Sequence, residues 1–136
     1  MGRIAAAVDR LSDVGFERVG ERVSPWFGDT TTEMQRGAWR VTLGREKGQL
    51  FVTVSAGSEG GHDVGLWESC LDLVLPSLDP RDVEVEVDAL IRRLPEMMRL
   101  DEDALARANE CLRSHGLWRF VTRRELGKIG PPSTPD

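Results

Sequence analysis

Side chains with versatile chemistry are scarce in this chain of 136 residues, which has no tyrosine, two cysteines and two histidines. The cysteines and histidines show no paired C-x-x-C or H-x-x-H spacing, so the sequence predicts neither a metal site nor a cofactor. Cys70 and Cys111 each fall in a predicted helix, far apart along the chain. Two buried, reduced thiols are therefore expected.

Long hydrophobic runs are also missing, since no stretch approaches the roughly 20 apolar residues that cross a bilayer. The N-terminal segment MGRIAAAVDRLSDVG has some character of a signal peptide, but Asp9, Arg10 and Asp13 interrupt its apolar run. We therefore expect no membrane partner and a cytoplasmic location.

An excess of positive charge is missing as well, because the formal net charge is -5. A general nucleic-acid binder needs a basic surface that releases counterions from phosphates, so we predict no nucleic-acid partner. The length suits one domain with a single core. Residues 1–126 are predicted to form this domain, and the segment 127–136, rich in proline and glycine, is predicted to be a disordered tail.

The clearest local pattern is a β-hairpin at about residues 38–56. In AWRVTL the apolar residues alternate with polar ones, Gly48 marks a turn, and QLFVTVSA runs back with its own alternation. FERVGERV is a weaker strand candidate. The segment SPWFGDTTTEMQRG is expected to be a long loop or an irregular edge strand.

Helical periodicity surrounds this hairpin. Residues 3–14 predict an amphipathic helix that Gly15 ends, and a second helix is expected between Asp63 and Pro76. VEVEV at residues 83–87 fits either a strand or a helix, and we prefer the helix because its apolar stripe continues to Leu94.

A final helix is expected from Asp101 to Gly116, followed by LWRFVTR as a strand or an extended segment. Together these elements predict an α+β fold. In this fold an antiparallel sheet of three to five strands packs against helices on one face.

The stretch SAGSEGGHDVG (residues 55–65) has the look of a catalytic or phosphate-binding loop. Ser58 lies near the spacing of a nucleophile elbow, but a serine needs a firmly held base, and His62 lies four residues away on the same glycine-rich loop. Glu59 and Asp63 would repel a phosphate, and Asp63 is better explained as a helix N-cap. We therefore predict no catalytic residues and no enzymatic activity.

Two groups of residues are candidates for binding a partner. The segment DPRDVEVEVD holds Glu84, Glu86 and Asp88, and an acidic helix face can dock onto a basic partner, although a solvated face is the plainer interpretation. Trp26 and Phe27 lie together in a predicted loop, where an exposed tryptophan can anchor a partner.

The succession of LSDVGFERV, AWRVTLGREKGQLFVTV and the acidic DVEVEVD resembles small bacterial immunity proteins of toxin–antitoxin loci. The resemblance implies a protein that binds and neutralises one toxin domain, with an acidic surface where that toxin is a nuclease. It supplies no catalytic residue.

We accordingly predict a non-enzymatic protein-binding domain, immunity-type or chaperone-like, that sequesters a partner. The alternative is a regulatory domain that binds a small molecule in a pocket between the sheet and the helix after residue 63. The third possibility is a small enzyme that uses Ser58, His62 or Asp63.

Overall fold

The structure, a computed structural model, describes residues 2–23 and 29–129. Its elements follow the chain as one helix, four strands and three helices. They are α1 (Arg3–Asp13), β1 (Glu17–Val23), β2 (Thr30–Arg36), β3 (Trp39–Glu46), β4 (Gln49–Ala56), α2 (Val64–Asp72), α3 (Val83–Met97) and α4 (Glu102–Ile129). None of the helices in this described part is long and apolar enough to cross a membrane.

The four strands form one antiparallel sheet in the order β1-β2-β3-β4, which confirms the predicted α+β fold. The predicted hairpin is β3 and β4. Its turn contains Lys47 and Gly48, both with positive φ, a conformation that closes a two-residue hairpin turn.

One face of the sheet carries the core. Side chains that alternate along β3 and β4 are buried there beneath the helices, and they include Val41, Leu43, Val52 and Val54. Trp67 of α2 lies fully buried against Trp39 of β3, with ring centroids 5.2 Å apart. The opposite face carries half-buried residues, among them Thr31, Thr42 and Thr53.

The expectation for the segment before the hairpin was partly wrong. Residues 30–36 form a regular inner strand that pairs with both β1 and β3, rather than a loop or an edge strand. The physical reason is that Thr32 and Met34 alternate toward the core while polar neighbours occupy the other face. Strand β1 shows little alternation in burial because it lies at the sheet edge and its register shifts between Arg18 and Gly20.

Three predictions about the helices are confirmed, and two predicted helix ends are wrong. Residues 83–87 are helical, Gly15 follows α1 with φ of 97°, and Asp63 caps α2 by accepting the Leu66 N–H at 3.2 Å. Helix α2 ends at Asp72 instead of at Pro76, because Leu73 adopts a left-handed conformation.

The larger error concerns α4, which passes through Gly116 and continues to Ile129 instead of giving way to a strand or an extended segment. A glycine inside a helix costs about 1 kcal/mol relative to alanine. Here Gly116 lies against α2, since a Cβ on it would stand 3.7 Å from Leu66 Cδ2. That is an ordinary contact distance, so an alanine would also fit; α4 is held beyond this residue by Arg119 on Asp63 and by Arg123 on the Leu78 carbonyl oxygen. The first residues of the predicted tail, 127–129, thus belong to α4, and 130–136 lie outside the described residues.

Candidate functional site

Strand β4 forms one edge of the sheet, and that edge is only partly covered. Val54 exchanges two backbone hydrogen bonds with His62, at 2.8 and 2.9 Å. Because outward-pointing backbone groups alternate along an antiparallel strand, Val52 and Leu50 also direct their N–H and C=O groups away from β3. Within the described residues, no hydrogen bond reaches these outward groups of Leu50 and Val52. The strand therefore offers further positions for pairing.

A cleft of about 710 Å³ opens directly beside this stretch of β4. Its walls are the β4 edge, the loop that carries His62, the start of α3 and the second half of α4. One side of helix α4 lines the cleft. The lining residues on that side recur at helical spacing, and they are Gly116, Arg119, Phe120 and Arg123. The cleft therefore lies between the edge of β4 and the second half of α4.

Arginines of α4 give the cleft a basic wall. Arg119 donates from Nη1 to Asp63 Oδ1 at 2.7 Å, while its buried Nε has no hydrogen-bond partner in the described part of the chain. Arg123 donates to the carbonyl oxygen of Leu78. Arg124 lines the same cleft and makes no ion pair within the described residues. These groups favour a ligand that brings acceptor oxygens.

The opposite wall holds a buried carboxylate. Glu86 of α3 is 5% exposed, accepts a hydrogen bond from Arg81 at 2.8 Å and accepts the Gly65 N–H at 3.1 Å. Burial raises the pKa of the Glu86 carboxyl, and the neighbouring Arg81 opposes that rise. Since Gly65 lies in the first turn of α2, Glu86 and Asp63 together satisfy N–H groups at the start of that helix.

An apolar stripe continues from the cleft along α4. Phe120 is 62% exposed at the cleft wall. Leu117, three residues before it, and Val121, one residue after it, are also exposed. Exposed large apolar residues that cluster in this way mark contact surfaces more often than scattered ones do.

The predicted partner-binding acids do not form one free acidic face. Glu84 accepts two hydrogen bonds of 2.5 Å from Arg3, and Asp88 pairs with Arg10, so α1 neutralises both. Glu86 lies in the cleft wall instead. The other predicted binding residues, Trp26 and Phe27, lie outside the described residues.

We expect the Glu84 carboxyl to titrate with a pKa of about 2, below its ordinary value of 4.5, because Arg3 donates two hydrogen bonds to it. Replacing Arg3 by glutamine should return this pKa toward 4.5, as NMR titration of the carboxyl resonance would show. Because the folded-state pKa is depressed, the stabilisation is present above pH 4.5 and is lost as the pH falls toward 2. The matched variant Arg10→Gln contacts Asp88 and should leave the Glu84 pKa unchanged. An equal effect of both variants would contradict the contact.

The glycine-rich loop contributes its backbone to one end of the cleft. Ser58 is exposed, and no hydrogen bond joins it to the His62 ring within the described residues. Burial lowers the pKa of the His62 imidazole. The backbone of His62 extends the sheet beside β4, which places this loop at one end of the cleft.

The expectation of two separate, reduced thiols was wrong. Cys70 and Cys111 form a disulfide between α2 and α4, although 41 positions separate them in sequence. The pairing follows from the packing of α4 on α2, which brings the last turn of α2 against the middle of α4. His115, one turn after Cys111, lies within 3.5 Å of Cys70 Sγ.

Comparison with protein-family models, with curated proteins and with solved structures finds no match for this chain.

The sequence analysis predicted a strand or an extended segment for LWRFVTR, so it did not place Arg119, Arg123 and Arg124 at a site. The spacing of Gly116, Arg119, Phe120 and Arg123 was a usable signal, since these residues share one side of a helix. This shared side is apparent only when LWRFVTR is assigned to a helix.

Proposed function

We propose that this chain is a non-enzymatic protein-binding domain whose cleft receives an extended segment of a partner polypeptide. The supporting observation is the β4 edge, where the outward backbone groups of Leu50 and Val52 face the cleft without a hydrogen-bond partner in the described residues. An extended peptide that adds to such an edge satisfies these groups through its own backbone.

The proposed peptide carries a carboxylate and an apolar side chain. The exposed guanidinium of Arg124 suits a carboxylate, either a side chain or a chain terminus. Exposed Phe120 suits an apolar side chain. The main-chain hydrogen bonds then provide affinity, and the side-chain contacts select the sequence.

The biological role that we propose is that of an immunity-type or chaperone-like protein in the bacterial cytoplasm. It would sequester one partner, such as a toxin domain, by holding an exposed strand of it. The order of elements that resembles immunity proteins supports this role, and the cleft supplies a means of binding.

A peptide-display selection tests the proposed binding. A library of random linear peptides is selected on the immobilised full chain, and the enriched peptides are measured against variants by fluorescence anisotropy. Leu50→Pro removes the outward N–H and retains the bonds to β3, whereas Leu50→Ala shortens the side chain and retains the N–H. We expect Leu50→Pro to weaken binding about tenfold, the effect of a lost backbone hydrogen bond, and Leu50→Ala to weaken it much less.

Arg124→Glu provides the electrostatic test. Reversing this exposed charge should weaken the binding of acidic peptides severalfold, and the difference in affinity should become smaller as salt is added. The proposal is wrong if no peptide is enriched, or if the enriched peptides bind Leu50→Pro and Arg124→Glu as tightly as the unaltered chain. Circular dichroism of each variant checks that the fold is retained.

A small-molecule ligand is the second candidate function. The cleft volume of about 710 Å³ lies within the usual range for small-molecule sites, about 300–1,000 Å³. The predicted pocket lay between the sheet and the helix after residue 63, whereas this cleft lies between the β4 edge and α4, with Leu66 of α2 in its lining. A thermal-shift screen of small carboxylates and phosphates separates the two candidates, because Leu50→Pro should not affect a ligand held by the arginines alone.

A further inference from the structure

Two sulfur atoms and one imidazole nitrogen meet where α2 packs on α4. The Nδ1 atom of His115 lies 3.5 Å from Cys70 Sγ and 3.7 Å from Cys111 Sγ. The donor atoms of these three residues all lie within 4.8 Å of one another. Cys70 is 7% exposed, and Cys111 and His115 are half-buried.

This cluster is built from rigid elements. Cys111 and His115 stand one turn apart on the same side of α4, and Cys70 lies in the last turn of α2. Two ligands at i and i+4 of one helix are the arrangement by which helices present paired metal ligands. The third ligand comes from the neighbouring helix, a contact that the sequence spacing did not reveal.

We propose that the reduced form of this cluster is a zinc site, with Cys70 Sγ, Cys111 Sγ and His115 Nδ1 as its three protein ligands. Zinc binds sulfur at about 2.3 Å and nitrogen at about 2.0–2.1 Å, so the donor atoms of a tetrahedral site stand roughly 3.5–3.8 Å apart. The two distances from His115 Nδ1 already have this size. The two sulfur atoms must move apart, to about 3.8 Å, and the imidazole ring must turn, because Cys111 Sγ lies 3.7 Å from Nε2 as well as from Nδ1.

The disulfide form is converted to the zinc-bound form in two balanced steps, reduction and then metal binding. A dithiol reductant transfers two electrons and two protons to the Cys70–Cys111 bond, which breaks to give two thiols while the reductant becomes a disulfide. Zinc then displaces the two thiol protons and binds both thiolates and the neutral imidazole. A reducing compartment such as the cytoplasm keeps thiols in the form that this site requires.

A polar side chain, Ser69, lies beside the proposed ligand nitrogen. Ser69 is buried, donates its hydroxyl to the Leu66 carbonyl oxygen at 2.8 Å and lies 3.4 Å from His115 Nδ1. With Nδ1 on the metal, the ring carries its proton on Nε2. Three protein ligands leave one tetrahedral position for water or an added ligand.

Cobalt titration of the full chain tests the proposal. The protein is reduced with a phosphine, freed of reductant without oxygen and titrated with Co²⁺, whose thiolate complexes show a characteristic charge-transfer absorption. We expect one Co²⁺ per chain, displacement by Zn²⁺, and release of two protons per Zn²⁺ bound. The oxidised chain should show none of these changes.

Two histidine variants make the test specific. His115→Asn should weaken metal binding by tenfold or more, whereas His62→Asn, which removes the other histidine of the chain, should leave it unchanged. Circular dichroism of each variant, oxidised and reduced, checks the fold. The proposal is overturned if the reduced unaltered chain shows no thiolate–cobalt absorption, or if a folded His115→Asn variant binds Co²⁺ as tightly as the unaltered chain.

Discussion

Replacing Gly44 by alanine is expected to lower the free energy of unfolding by about 3 kcal/mol or more, the upper range for overpacking a buried position. A Cβ atom at this position would stand 2.0 Å from the Thr30 carbonyl oxygen and 2.9 Å from Thr31 Cα. Both contacts are with the backbone of β2, so no side-chain rotation relieves them. Urea unfolding followed by circular dichroism measures the loss.

Gly20→Ala is the matched control in the same sheet. There the added Cβ would meet the flexible Glu33 side chain at 3.5 Å, an ordinary contact distance. We expect a change within about 0.5 kcal/mol, since the substitution also restricts the unfolded chain. Equal losses for the two variants would show that the close approach of β2 to Gly44 is not what makes this glycine necessary.

The hairpin and the starts of α2 and α4 could be predicted because their signals are local. Alternation along β3 and β4, together with Gly48 at the turn, determines which face is buried. Asp63 and Asp101 each accept a hydrogen bond from an N–H three residues later, as an N-cap does. Patterns of this kind need no information about distant residues.

The errors arose where tertiary contacts override local preference. Gly116 is a usual stop signal, but α4 continues past it, where Arg119 and Arg123 bond to Asp63 and to the Leu78 carbonyl oxygen. Residues 30–36 read as irregular because their apolar content is low, yet pairing on both sides makes them a regular strand. Each outcome depends on a neighbour that lies far away in sequence.

The candidate sites were hidden for the same reason. The cleft joins β4 to α4, and the cluster of Cys70, Cys111 and His115 joins α2 to α4. Once α4 was expected to end at Gly116, the arginines after it had no predicted neighbours. Cys111 and His115 are four positions apart in the sequence, but spacing alone does not reveal a third ligand from another helix.

Replacing Trp67 by alanine should remove about 3–5 kcal/mol of stability, the usual cost of truncating a buried large aromatic residue. Trp67 is fully buried, packs on Trp39, and donates its Nε1–H to the Val54 carbonyl oxygen at 2.9 Å. It therefore joins α2 to β4 beside the cleft. Urea unfolding by circular dichroism gives the loss, with an unchanged slope as evidence that the unfolded state is the same.

Trp118→Ala is the matched control, because this tryptophan is 37% exposed on α4. We expect it to cost about 1 kcal/mol or less, in keeping with substitutions at the surface. Trp67→Phe separates the two contributions of Trp67: it retains an aromatic ring and loses the hydrogen bond, and should cost clearly less than the alanine variant. The Val54 carbonyl oxygen still accepts the His62 N–H in that variant, so it is not left without a partner. If Trp118→Ala proved as costly as Trp67→Ala, the second half of α4 would hold the fold together, and its exposed apolar residues would be better explained by stability than by partner binding.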